Sequence, residues 1–111
     1  MHIGFEQQEF RELCRNEGSA IAALGPGVAE VLFARLADIR AAETLAELIV
    51  GNPRVDPNDA STYLLDLRDY GTLRFRTIAP KGRKTESERT NPARVSRILV
   101  VAFEARNARR D

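Results

Sequence analysis

The chain has no tryptophan and a single cysteine, histidine and methionine in 111 residues. Cys14 alone closes no intramolecular disulfide, so the fold must hold without one, and its place on the same helical face as Phe10 reads as packing more than thiol chemistry. One His and one Cys leave no ligand set for zinc, and the Asp and Glu residues lack the spacing of a calcium loop or a paired-metal site. No metal and no cofactor is therefore expected. Gly25-Pro26-Gly27 lacks the Lys and Ser or Thr of a P-loop, which argues against nucleotide hydrolysis. No apolar run reaches the roughly 18 residues of a membrane-spanning helix, and no charged segment followed by an apolar stretch opens the chain, so a cytoplasmic location is expected. His2, at the terminus, reads as structural.

What is present is divided charge. Residues 1–70 carry six Lys+Arg against twelve Asp+Glu, a net −6, and residues 71–111 carry eleven against four, a net +7. The whole-chain charge of +1 hides this polarity. A concentrated positive region attracts polyanions, nucleic acid above all, while the acidic half limits indiscriminate binding. A solvated surface is the plainer reading of the same charges. The length fits one domain.

Along the chain, residues 2–5 suit an opening strand, and Phe10, Leu13 and Cys14 suit a short helix over residues 6–16 that Gly18 stops. Gly25-Pro26 then forms a joint and a helix start. Leu24, Val28, Val31, Leu32, Leu36 and Ile39 recur at steps of three and four, which predicts a long amphipathic helix to about Ala42. Thr44 and Glu47 fit a capping box for a second helical turn, residues 45–49. The Gly, Asn, Pro and Asp residues of 51–59 predict a loop without regular structure. Beyond it the period falls toward two: a strand over 62–67, a turn at Asp69-Tyr70-Gly71, and a strand over 72–78 with Leu73 and Phe75 on one face. A last strand, 95–103, is apolar at nearly every position, as in a central strand covered on both faces. The charged connection 79–94 is long enough to move. This order predicts an α+β fold: a small antiparallel sheet, with a mixed edge possible, packed on N-terminal helices.

The sheet face away from the helices then carries Arg74 and Arg76. Residues two apart on a strand stand about 7 Å apart, near the spacing of successive phosphates on an extended single strand. Guanidinium groups grip phosphate oxygens bidentately and stabilise charge on a phosphorane. The plain alternative is a cross-strand ladder of these arginines with Asp66 or Asp69.

Residues Leu24-Gly25-Pro26-Gly27-Val28-Ala29 and Arg35-Leu36-Ala37-Asp38-Ile39-Arg40-Ala41-Ala42-Glu43-Thr44-Leu45-Ala46-Glu47-Leu48 resemble the long helix and turn of the RelE/ParE toxin superfamily, closest to its HigB branch. Leu13-Cys14-Arg15 fits the same branch, Asp66-Leu67 with Leu73-Arg74-Phe75 resembles its paired strands, and Arg97-Ile98-Leu99-Val100-Val101 its last strand. The resemblance implies a RelE-like fold and the toxin of a bacterial type II toxin–antitoxin pair. Such a toxin enters the ribosome and cleaves messenger RNA by attack of a ribose 2′-hydroxyl on the adjacent phosphate. It also implies a cognate antitoxin, the ribosome and mRNA as partners, with an oligomer formed on antitoxin binding.

Arg74 occupies the position of the family's strand arginine; Arg76 and Lys81 join it as catalytic candidates from geometry. Arg68, Arg83, Lys84, Arg97 and Arg106 are the expected RNA-binding cations. Where the HigB branch ends its last strand with Asp-Tyr-His, this chain reads Phe103-Glu104-Ala105, so proton transfer falls to Tyr70 or Glu104. That departure keeps two alternatives open: a ParE-like toxin that blocks DNA gyrase without cutting RNA, and a catalytically silent module that binds its antitoxin.

Overall fold

The computed structural model describes residues 1–78 and 92–105. The elements run β1 (His2–Phe5), α1 (Gln8–Arg15), α2 (Glu17–Leu24), α3 (Pro26–Ala41), β2 (Arg54–Asp56), β3 (Asp59–Asp66), β4 (Gly71–Thr77) and β5 (Arg97–Ala105), with 3-10 turns at Leu45–Glu47 and Pro92–Arg94. Five strands form one sheet in the order β1-β5-β4-β3-β2. β1 runs parallel to β5 and the other neighbours are antiparallel, so the expected α+β fold with a mixed edge is the one observed. Among the described residues no helix is long and apolar enough to cross a membrane.

Two local expectations need correction. Gly18 does not end the helical region: Asn16 interrupts it, and its side chain accepts the Ser19 N–H at 3.2 Å, capping a further helix, α2, whose first turn holds Gly18. An Asn cap satisfies an orphan donor, and that outweighs the cost of one glycine near a helix start. The 51–59 segment is not wholly irregular either. It contains β2, a three-residue edge strand held by β3 through the pairs Arg54↔Leu64 and Val55↔Tyr63.

Gly25, at φ 91°, makes the corner between α2 and α3, and Pro26 occupies the first turn of α3. Of the stripe expected on that helix, Val31, Leu32, Leu36 and Ile39 are buried, joined by Ala29, while Val28 and, in α2, Leu24 are half-buried. They meet Leu65, Leu67, Leu73, Phe75, Ile98 and Val100 from the sheet, and Tyr63 stacks on Phe75 with ring centres 5.7 Å apart. Each fully buried side chain of this size contributes about 1.5–3 kcal/mol. Arg35, on the nominally polar side of α3, turns inward: its Nε donates to the Asp66 carbonyl at 3.1 Å and its side chain is only 12% exposed. The turn after α3 is shorter than expected, Leu45–Glu47, yet Leu45 and Leu48 are buried.

β5 lies between β1 and β4, but its coverage differs from expectation. Ile98 and Val100 are buried while Leu99, Val101, Ala102 and Phe103 are half-buried, so the helices cover one face only. A register shift opposite Arg74 and Phe75 explains the unbroken apolar run, because the bulged residue adds one apolar position out of step. At the far end, Gly71 (φ 156°) faces Ala105; a Cβ there would collide with the Glu104 carbonyl oxygen and lie 3.0 Å from Ala105 Cα.

Candidate functional site on the open sheet face

Alternation along the strands puts Thr62, Leu64 and Asp66 of β3, Thr72, Arg74 and Arg76 of β4, and Leu99, Ala102 and Glu104 of β5 on the face away from the helices. The register confirms their adjacency: Leu64↔Arg74↔Ala102, Thr62↔Arg76↔Leu99 and Asp66↔Thr72↔Glu104. Arg54 joins them opposite Leu64, with Asp56 beyond it.

Arg74 and Arg76 do share this face, but neither guanidinium is free. Arg74 Nη2 donates to Asp56 Oδ2 at 2.6 Å, and its Nη1 lies 3.7 Å from Glu104 Oε2. The Arg74 side chain is 26% exposed and that of Asp56 6%, so this pair is largely withdrawn from solvent. Arg76 donates to Glu6 Oε2 at 3.0 Å, and Arg54 to Asp66 Oδ1 at 3.0 Å. An ion-pair ladder thus covers the face, as the plain alternative expects, through other partners: Asp56, Glu104 and Glu6 for the strand arginines, and Arg54 for Asp66.

Asp56 is the anchor of this arrangement. Its other oxygen accepts the Asn58 N–H at 2.8 Å. That backbone bond chiefly, aided by Arg74 and opposed by burial, holds its carboxyl below the ordinary aspartate value. Asp59 is held down likewise by hydrogen bonds from Ser61 and Thr62. Both stay ionised at neutral pH. A phosphate approaching Arg74 must therefore displace a charged, well-bonded carboxylate and meet its repulsion.

At the end of the β3–β4 hairpin, Asp66, Arg68, Thr72 and Glu104 line a hollow of about 370 Å³. Arg68 stands in the turn at φ 55°, a strained value for a non-glycine residue. The Glu104 side chain, 61% exposed, faces both this hollow and Arg74. Arg68, Arg74 and Glu104 are thus brought together. Tyr70 is not with them: its ring and hydroxyl lie against Gly27 in the first turn of α3. Arg97 sits exposed at the opposite end of β5, in register with His2. At about 3.3 Å per residue it is some 20 Å from Glu104. Lys81, Arg83, Lys84 and Arg106 lie outside the described residues.

The charge follows the same division. Residues 1–78 and 92–105 hold ten Lys+Arg against thirteen Asp+Glu, a net −3, so the positive surplus belongs to the remaining segments. Cys14 is buried, and burial, opposed by Arg40, pushes its thiol up to about 11, away from nucleophilic use. Among the described residues no group of three His, Cys, Asp or Glu is placed to hold a metal ion. Sequence reasoning did not find Glu6 and Asp56 as partners of the arginines. Their separations of 70 and 18 residues carry no local signal, and Asp56 pairs only because β2 forms.

No family model, curated protein or solved structure matches the chain.

Proposed function

We propose that this chain is the toxin of a bacterial type II toxin–antitoxin pair of the RelE/ParE kind, acting in the cytoplasm by binding a protein target. DNA gyrase is the target that the ParE kind implies. Support for the class comes from the resemblance of residues 24–48 and of the strand segments around Arg74 and Arg97, together with an α+β fold of the type that resemblance leads one to expect. The mode of action rests on one observation: Arg74, the arginine on which RNA chemistry would turn, is clamped between Asp56 and Glu104. The last strand ends in Phe103-Glu104-Ala105, without a Tyr-His pair, which favours the same reading.

The test is to induce the chain alone in a bacterial host, sequence RNA ends and map chromosome breaks, then assay purified gyrase for supercoiling and trapped cleavage. Growth arrest with gyrase-dependent breaks and unchanged RNA ends is expected. Ribosome-dependent cuts in messages would reverse the assignment, and tight antitoxin binding without toxicity would leave only the silent module.

The hollow at the hairpin end favours a second reading, ribosome-dependent mRNA cleavage. There Glu104 takes the proton of the attacking 2′-hydroxyl as its oxygen bonds to phosphorus, Arg68 and Arg74 stabilise the crowded phosphorane, and the 5′-oxygen leaves with a proton from water. Loss of all RNA cuts in Glu104→Gln, with the fold retained, is the result this reading requires.

A further inference from the structure

A cavity of about 760 Å³ opens beside β1, within the size range of small-molecule sites. Ile3, Phe5, Phe33 and Leu99, all half-buried, supply its apolar floor. Its charged lining is of one sign: Arg11, Arg15 and Arg40, all exposed, with no Asp or Glu beside them in the lining. Among the described residues Arg15 meets only Glu12, at 3.2 Å in an exposed pair that a stronger anion replaces at little cost. Arg11 and Arg40 meet no carboxylate among them at all.

This charge is gathered against its own repulsion. The helix dipole accounts for a cation at Arg15 and at Arg40, each in the last turn of its helix, but not for Arg11, which stands four residues from Arg15 on α1, where like charges are neighbours and weaken the helix. Arg40 comes close enough to Cys14, between those two on α1, to act on its thiol, so the three guanidinium groups share one place. Each presents a planar fork that takes two oxygens, and three together match the adjacent anionic centres of a diphosphate or triphosphate, not a lone carboxylate. The rings of Phe5 and Phe33 beneath them suit a flat body on the same molecule. The lining side chains offer no uncharged hydrogen-bonding group besides the Cys14 thiol, so such a ring is stacked there without being read. No carboxylate in the lining holds Mg²⁺, which fits binding without hydrolysis.

We propose that this cavity binds a free nucleoside polyphosphate, its phosphates on Arg11, Arg15 and Arg40 and its base stacked on Phe5 and Phe33, with little preference among bases. Inorganic phosphates lack the body that would cover the rings, and a nucleoside alone leaves the guanidinium groups unanswered. This inference stands apart from the toxin's choice of target and does not rest on it.

The test titrates the full chain with ADP by isothermal calorimetry, with EDTA present, and compares GDP, adenosine and inorganic pyrophosphate. ADP and GDP should bind within about three-fold of each other, because stacking tolerates either base. Adenosine and pyrophosphate, each lacking one half, should bind about ten-fold more weakly or worse. Arg11→Gln and Arg40→Gln should each weaken ADP by about ten-fold, and Phe33→Leu should weaken ADP while leaving pyrophosphate unchanged. Cys14, the chain's only cysteine, lines the cavity, so bound ADP should slow its reaction with dithiodipyridine, which separates this site from the cations of residues 79–91. Circular dichroism checks each variant. Should a substitution unfold the protein, Cys14 protection in the unaltered chain decides alone. Pyrophosphate binding as tightly as ADP, a preference above about ten-fold between ADP and GDP, affinity indifferent to both arginine changes in folded protein, an unprotected Cys14 at saturation, or no binding at all would overturn the proposal.

Discussion

Replacing Arg74 by Gln separates a guanidinium that serves RNA from one that serves the sheet, and the salt dependence of binding is the quantity to read. Each phosphate neutralised on a single strand contributes about −0.7 to the slope of log affinity against log salt. A free arginine removed from the interface should therefore flatten the slope by that amount. Between 50 and 200 mM salt, a four-fold rise, this is about a two- to three-fold difference in how much affinity is lost. Arg74, however, is bonded to Asp56 at 2.6 Å and faces Glu104 at 3.7 Å. If it moves to a phosphate, the carboxylates it leaves take up cations, and the release from RNA is largely cancelled. Titration of a short oligouridylate should show that Arg74→Gln changes the slope by less than about 0.2, whereas Arg97→Gln, exposed and without an ion pair among the described residues, changes it by about 0.7. Asp56→Asn, by freeing Arg74, should steepen it by a similar amount. Comparing variants cancels whatever the cations of residues 79–91 and 106–111 contribute. A loss of about 0.7 in Arg74→Gln, with circular dichroism unchanged, would refute the reasoning and put the ribonuclease reading first.

Three further outcomes are expected. Gly71→Ala forces a Cβ onto the Glu104 carbonyl at a positive φ, and should cost about 2–3 kcal/mol and about 10 °C in Tm by calorimetry; a shift under about 4 °C would contradict it. Phe75→Ala removes a fully buried ring stacked on Tyr63, and should lower the unfolding free energy from urea titration by about 3–5 kcal/mol. Asp56 and Asp59 have depressed pKa values in the fold, so their contribution to stability is complete above the ordinary aspartate value of 3.8 and is lost as pH falls through their folded values; thermal melts should hold steady for these groups down to about pH 5, decline below about pH 4, and decline less in Asp56→Asn.

The long helix was readable because its apolar residues recur at steps of three and four, and one surface buries Val31, Leu32, Leu36 and Ile39 among them. The β3–β4 hairpin was readable because Asp69-Tyr70-Gly71 separates two alternating runs. What escaped depends on partners distant in the chain. β2 has almost no propensity of its own amid Pro53, Pro57 and Asn58, and exists because β3 offers it hydrogen bonds. Arg35 falls outside the apolar stripe by its spacing, yet a long side chain reaches around a helix to the Asp66 carbonyl. The candidate site was half legible. Strand alternation put Arg74 and Arg76 on one face, but whether they are free or satisfied is decided by Asp56, Glu104 and Glu6, which only the assembled sheet brings near. α2 was missed for a smaller reason: Gly18 was weighed and the Asn16 cap was not.

Placing the first strand beside the last has a kinetic consequence. Among the described residues β1 pairs with β5 alone, some 95 residues downstream. At about 5–20 residues per second of synthesis, the opening segment waits roughly 5–20 s for its mate. During that interval Ile3, Phe5 and the underside of α3 are without their final neighbours, and the more slowly the chain is made, the longer it stays open to being caught by another protein at this seam.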